Sequence, residues 1–219
     1  MAQQAKELPP QTDCSGFTGY RLVNSKFPPV GLFDDVADPE EFEALYQLQA
    51  MTNPRLRNEV GNLALLPASE IPFGIPGCTC AVAPFTHVNP DGSRFSDGRY
   101  GVLYLADSFS TALAEVVHHQ ARYWGNVPGL GYDRIVLRGL KAQVGPLNLH
   151  DITGWPGDDP VLSAEDYSAS RALGRSLYEA GSGGIHYPSV RNKGGLCWGL
   201  FSPRPVRKML QSSHYELVW

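Results

Sequence analysis

The clearest hydrophobic periodicity in the chain runs from Phe109 to Val117. Phe109, Ala112, Leu113, Val116 and Val117 fall at i, i+3, i+4, i+7 and i+8, the spacing that lays one apolar stripe along a helix. Ser108 precedes it and is a good N-cap, so a helix is predicted from there to about Tyr123. The compact apolar run just upstream, Gly101 to Ala106 (GVLYLA), reads as a strand. Glu115 lies off the stripe, on the side shared with Ser108 and Thr111. By itself that position belongs to a solvated helix face.

The same reading extends to the rest of the chain. Gly19 to Asn24 forms a short strand pattern. Asp38-Pro39-Glu40-Glu41 starts a helix, with Asp38 as cap, Pro39 in the first turn and Glu41 at the capping-box position. Phe42, Leu45, Tyr46 and Gln49 continue it, and Asn53-Pro54 opens a second helix to about Leu66. Residues 38–66 are thus expected as a helical pair. Asp133 to Leu140 and Val144 to His150 read as strands, and residues 151–160 as a loop. Ser163-Ala164-Glu165-Asp166 opens a helix ending near Gly181, a C-cap residue. Gly184 to Tyr187, Leu196 to Phe201 and Tyr215 to Trp219 finish as strands. Residues 1–17 read as a loose leader and 18–219 as one domain. Helices grouped between runs of strands give an α+β class.

Composition narrows the function. The 219 residues are 42% hydrophobic, enough for a core in a chain of one-domain length. Net charge is −4 and no basic block occurs, which argues against nucleic acid as a partner. There is no apolar run of signal-peptide or membrane-spanning length, so a cytoplasmic protein without membrane contact is expected. Cys78 and Cys80 form a C-x-C, while Cys14 and Cys197 stand alone. Zinc ligands come in two such pairs at wider spacing, so free thiols and no metal are expected. The glycine fingerprints of dinucleotide-binding and P-loop folds are absent, as is the G-x-S-x-G elbow. His118 and His119 are adjacent on the predicted helix and diverge by about 100°, which suits surface or core-edge residues better than one metal. Gly181-Ser182-Gly183-Gly184 reads as a helix-ending turn, and His186 and His214 have no readable partner.

Three segments concentrate polar residues beside apolar strands: Ser93 to Gly101, Val102 to Glu115, and Ile185 to Arg191. Tyr104, Arg94 and Arg191 each have an ordinary reading as core or surface residues. Their combination resembles the RES domain, named for its Arg, Glu and Ser. The resemblance rests on Arg94-Phe95, Tyr104-Leu105-Ala106 ten residues later, Thr111 to Glu115 with the Glu eleven after the Tyr, and Gly184 to Arg191 with Ser189 as the serine. Tyr20-Arg21 matches the family's opening strand and Leu200 to Pro203 its downstream Leu-Phe-x-Pro, so residues 18–205 are covered. Family members usually carry Gly-Arg-Trp-Asn where this chain has Ser93-Arg94-Phe95-Ser96. Arg99 sits in a second Gly-Arg-aromatic string and competes for the arginine role, although spacing to Tyr104 favours Arg94.

The resemblance implies an ADP-ribosyltransferase-like fold, with two small β-sheets and flanking helices forming an NAD+ cleft. It implies cleavage of the nicotinamide–ribose bond by hydrolysis or phosphorolysis, with NAD+ as substrate, inorganic phosphate as the alternative co-substrate and no resident cofactor. It also implies a toxin paired with an Xre-type helix-turn-helix antitoxin; self-association into a homo-oligomer is compatible with this. Transfer of ADP-ribose to a protein and non-catalytic nucleotide binding are the alternatives.

The chemistry suits these residue types. Nicotinamide leaves as a neutral molecule and needs no proton, so one carboxylate beside the cationic ribose serves where glycosidases use two. Glu115 fits that role. Arg94 offers a bidentate fork for the pyrophosphate, with Arg21, Arg191 or Arg99 as further clamps. Tyr104 is suited to stacking on the nicotinamide or ribose. Ser189 is suited either to binding a phosphate or to orienting Glu115.

Overall fold

In the computed structural model, which describes residues 8–25, 38, 40–42, 44, 48 and 61–219, extended segments dominate. The strands are β1 (Gln11–Cys14), β2 (Phe17–Asn24), β3 (Leu103–Ala106), β4 (Arg134–Val144), β5 (Leu147–Asp151), β6 (Gly184–Pro188), β7 (Leu196–Leu200) and β8 (Val206–Val218). Helices α1 (Cys78–Thr86), α2 (Phe109–Gly125) and α3 (Ser168–Glu179) lie between them. The α+β class read from the sequence is the class observed.

The strands form one eight-stranded sheet in the order β1-β5-β6-β7-β3-β2-β4-β8. β5 and β6 run parallel, and the other neighbours antiparallel. Two separate small sheets were expected, and this is corrected: the halves are hydrogen-bonded into one. The join is narrow. β2 pairs with β4 along its whole length and β3 with β7 along its own, but the β2–β3 ladder is the single pair Tyr20–Ala106.

Strand alternation sends successive side chains to opposite faces, and each face has its own core. Leu103 and Leu105 of β3 point to one, with α1, Leu140, Ala142 and Met209. Tyr104 and Ala106 point to the other, with Ala112 of α2, Leu177 of α3, Leu137 and Ile185. Helices therefore cover both faces. Sequence periodicity missed α1 because it is apolar nearly all round, as suits a helix enclosed by protein. Cys78 and Cys80 belong to it, with Cys78 fully buried.

Several boundaries differ from expectation for local reasons. Residues 8–17 are not a loose leader, because Gln11–Cys14 pairs with Leu147 to His150; residues 1–7 lie outside the described set. The expected break between strands at 141–143 does not occur. Exposed Lys141 and Gln143 alternate with buried Ala142 and Val144, so β4 continues. β8 starts nine residues earlier than expected, its middle concealed in sequence by polar Gln211 to His214. α3 starts at Ser168 rather than Ser163. Ser163 Oγ accepts from the N–H groups of Glu165 (3.4 Å) and Asp166 (3.1 Å), closing a side-chain turn that competes with helix. Asp38 Oδ1 accepts from Glu40 and Glu41 N–H at 2.9 Å, and helix follows at 40–42, as its capping pattern predicts. Most of the expected second helix, through residue 60, lies outside the described residues. Leu63–Leu65 is a 3-10 turn rather than the end of that helix.

α3 reaches the backbone beside the site through Gly174. A Cβ there would stand 2.1 Å from the Phe95 carbonyl oxygen. Alanine in a helix interior normally gains about 1 kcal/mol over glycine. Here the clash is with backbone, so the overpacking cost prevails. Gly174→Ala is expected to destabilise by about 1–2 kcal/mol, or roughly 2–8 °C in Tm. Thermal denaturation checks this; an unchanged or higher Tm would show that α3 yields freely.

Candidate active site

Where the two sheet halves meet, a cavity of about 430 Å³ opens. β2 lines it with Tyr20, Arg21 and Leu22, and β3 with Tyr104, Leu105 and Ala106. α2 contributes Ala112, Glu115, Val116 and His119, and the loop before β3 contributes Asn89, Gly92, Ser93 and Arg94. Tyr167, Tyr187 and Cys197 complete the wall.

Arg94 is only 7% exposed. Its Nη1 donates to the Ser163 carbonyl at 2.9 Å, and its guanidinium lies 4.5 Å from the centre of the Tyr167 ring. Nη2 is buried with no hydrogen-bond partner among the described residues. A carbonyl and a ring face leave a full positive charge uncompensated, and buried donors rarely stay unpaired. Arg21 repeats the pattern. Its Nη1 is buried and unpartnered among the described residues, and burial holds its pKa below the ordinary arginine value. Both arginines border the cavity and give its wall positive charge.

Tyr104 acts as a strut for the Arg94 loop. Its hydroxyl oxygen accepts from Phe95 N–H at 2.8 Å and shares a hydrogen bond with Ser93 Oγ at 2.8 Å. Burial pushes the phenol up to about 12, so it is neutral at physiological pH.

Glu115 and Ser189 are in contact. Ser189 Oγ donates to Glu115 Oε1 at 2.7 Å. The serine oxygen in turn accepts from the N–H groups of Arg191 (3.2 Å) and Asn192 (3.0 Å). Ser189 does not itself line the cavity; it stands behind the carboxylate. That hydrogen bond suits orientation of Glu115, while Ser189 also borders a second cavity with Ser163, Ala164 and Asp166.

The remaining arginines part company. Arg191 donates through Nη2 to the Ala164 carbonyl and lies 3.6 Å from Glu165, with Nε buried and unpartnered among the described residues. It braces the strap that holds Tyr167 and is not a lining residue. Arg99 does not join the site. Its side chain is 63% exposed and pairs with Asp97 at 2.9 Å and Glu179 at 3.8 Å. The nearer anions on the surface claim it.

The sequence model of the RES domain family matches residues 71–219. The chain belongs to the RES-domain family. It is 33% identical over 202 residues to the uncharacterized protein y4oC of Sinorhizobium fredii, covering 91% of this chain and 82% of that one. A structural match is a chain of the M. tuberculosis MbcT–MbcA toxin–antitoxin complex, at TM-score 0.47 and 15% identity, covering 92% of this chain and 84% of that one.

The matched RES region contains Arg94, Tyr104, Glu115 and Ser189 and begins after Arg21. Arg21 nevertheless borders the RES-domain cavity from β2. Sequence reasoning missed other wall residues. His119, read as a surface or core-edge residue, is exposed as read and also lines the cavity. Partial desolvation on the cavity side, opposed by Glu115 and helped by His118, Arg191 and Arg94, holds its pKa below the ordinary histidine value. The signal was available: Thr111, Glu115 and His119 recur every four residues and share one face of α2. Tyr167 carried no signal, since it stacks on Arg94 from a turn with no periodicity. His186 gains a partner in Asp151 Oδ2 at 3.2 Å, away from the cavity wall.

Proposed function

We propose that this RES domain degrades NAD+ by breaking the nicotinamide–ribose bond, with water or inorganic phosphate as acceptor. The observation that carries the reading is one carboxylate, Glu115, fixed by a 2.7 Å hydrogen bond from Ser189, on a cavity whose arginines keep unpartnered donors. That arrangement matches a substrate with an anionic pyrophosphate and a ribose that turns cationic. Arg94 and Arg21 hold the pyrophosphate in this reading, and Tyr104 sets the loop that carries Arg94. The junction of the sheet halves serves as the ADP-ribosyltransferase-like cleft.

Departure of nicotinamide leaves positive charge on the ribose C1′. In NAD+ the positive charge rests on the pyridinium ring and passes to the ribose as the bond breaks, so a fixed negative charge beside C1′ stabilises the transition state more than the ground state. The leaving group takes the bonding electron pair and becomes neutral, so no general acid is needed. Glu115 also has an oxygen with which to accept a hydrogen bond from the ribose 2′-hydroxyl. Arg191 supports the strap over the site rather than the substrate.

In the cell the activity is that of a toxin restrained by a helix-turn-helix antitoxin of the Xre type, the pairing that RES-domain membership suggests. Induction of the wild-type chain is expected to arrest growth and lower cellular NAD+, and Glu115→Ala to relieve both. NAD+ quantified in extracts after induction checks this. Growth arrest at unchanged NAD+ would remove the reading.

A further inference from the structure

The turn after β6 grips α2 at two points. Ser189 Oγ donates to Glu115 Oε1 at 2.7 Å. Asn192 Nδ2 donates to Thr111 Oγ1 at 2.8 Å. Thr111 and Glu115 are four residues apart and share one face of the helix. The two grips are joined, because the Asn192 N–H donates to Ser189 Oγ at 3.0 Å. Gly195 closes the turn: its N–H donates to the Asn192 carbonyl at 2.9 Å, and its carbonyl accepts from the Ser189 N–H at 2.8 Å. A Cβ on Gly195 would stand 2.5 Å from Thr111 Oγ1, so the turn lies directly against the helix.

Helix capping does not account for the outer grip. Ser108 Oγ already accepts from the Thr111 N–H at 3.2 Å, and it shares a 2.9 Å hydrogen bond with Thr111 Oγ1. With Asn192 donating to Thr111 Oγ1, the threonine hydroxyl links the turn to the Ser108 cap, whose Oγ also bonds Ser110 Oγ at 3.0 Å. At Ser189 the direction is fixed. Two N–H groups occupy its lone pairs, so its proton goes to Glu115. A serine hydroxyl otherwise rotates freely, and a glutamate side chain has several rotors. Sliding the turn along α2 would release both.

We infer that Thr111 and Asn192 are positioning residues that fix the Glu115 carboxylate through Ser189. This rests on the proposed role of Glu115 and adds the two residues that set its geometry. Neither touches the substrate; they act by holding Ser189 in register with the helix.

The test combines kinetics with crystallography. Asn192→Ala and Thr111→Val are each expected to lower kcat for NAD+ cleavage by roughly 10- to 100-fold, the scale of a small misplacement of a catalytic group. KM should stay within about 3-fold, because the arginine clamp is untouched. Thr111→Ser keeps the hydroxyl and should recover most of the loss seen in Thr111→Val. In a Ser189→Ala background, Asn192→Ala should add little, since its route to Glu115 is already cut. A lower Tm without a fall in kcat, or full additivity with Ser189→Ala, would overturn the inference. The crystal structure of Asn192→Ala provides a check independent of turnover. The Ser189–Glu115 hydrogen bond is expected to be lost, and its persistence at 2.7 Å would overturn the inference whatever the activity. A wild-type chain that leaves NAD+ intact would instead overturn the proposed reaction and leave the crystallographic test standing.

Discussion

Glu115→Gln is expected to lower kcat for NAD+ cleavage by roughly 10²–10⁴-fold, the usual cost of deleting a preorganised electrostatic group. The substitution is nearly isosteric and keeps a carbonyl oxygen, so the 2.7 Å hydrogen bond from Ser189 still has an acceptor. What disappears is the negative charge. The ground-state ribose is neutral and gains little from that charge, so KM should change by less than about 3-fold. The loss thus falls on the step in which C1′ becomes cationic. Steady-state kinetics on protein of unchanged Tm separates these effects. A KM defect at normal kcat would make Glu115 a binding residue only.

Arg94→Ala should show the opposite division. A hydrogen bond to a charged group contributes about 1.5–3 kcal/mol, and Arg94 has a buried unpartnered Nη2 to offer. Its removal is expected to lower kcat/KM by roughly 10²-fold, mainly through KM. Part of the effect is local, because the Ser163 carbonyl loses its donor and the Tyr167 ring its cation. Arg94→Lys should rescue poorly, since an ammonium cannot bond the carbonyl and an anion from one planar fork. Arg99→Ala is the control. Its ion pairs with Asp97 and Glu179 are on the surface, where such pairs contribute little, so activity should stay within about 3-fold. A greater loss for Arg99→Ala than for Arg94→Ala would reassign the substrate arginine.

How much of this was legible in the sequence depended on the kind of signal. α2 was readable because its cap and stripe are local: Ser108 does accept from the Thr111 N–H, and Ala112 is buried. Glu115 was marked by its place off that stripe, but its partner Ser189 is 74 positions away and no periodicity connects them. Only the combined motifs of a RES domain put the two together. β1 was unreadable because four mostly polar residues at a sheet edge need no alternation. The single Tyr20–Ala106 pair that joins the sheet halves is a tertiary event with no local signature. α1 was hidden for the reverse reason, since burial on most sides erases the polar face that marks a helix. Tyr167 reaches Arg94 only because the Ser163 and Asp166 side chains form turns that delay α3.

The separation of Arg94 from Arg99 is instructive. Both follow small residues and precede aromatics, so local pattern ranks them alike. The fold buries the one whose loop is tied to Tyr104 through Phe95 and Ser93. It leaves the other beside Asp97, whose carboxylate also lies 2.8 Å from Arg175. The spacing from Arg94 to Tyr104 is therefore matched in the folded chain by hydrogen bonds from Tyr104 to the residues on either side of Arg94.

The most direct measurement is incubation of the purified chain with NAD+, with and without inorganic phosphate, following nicotinamide release and the ADP-ribose products by chromatography and mass spectrometry. The expected result is one nicotinamide released for each NAD+ lost, with ADP-ribose or its 1″-phosphate as the matching product, and almost none from Glu115→Gln. NAD+ that binds but remains intact, or ADP-ribose recovered only on a protein acceptor, would contradict it.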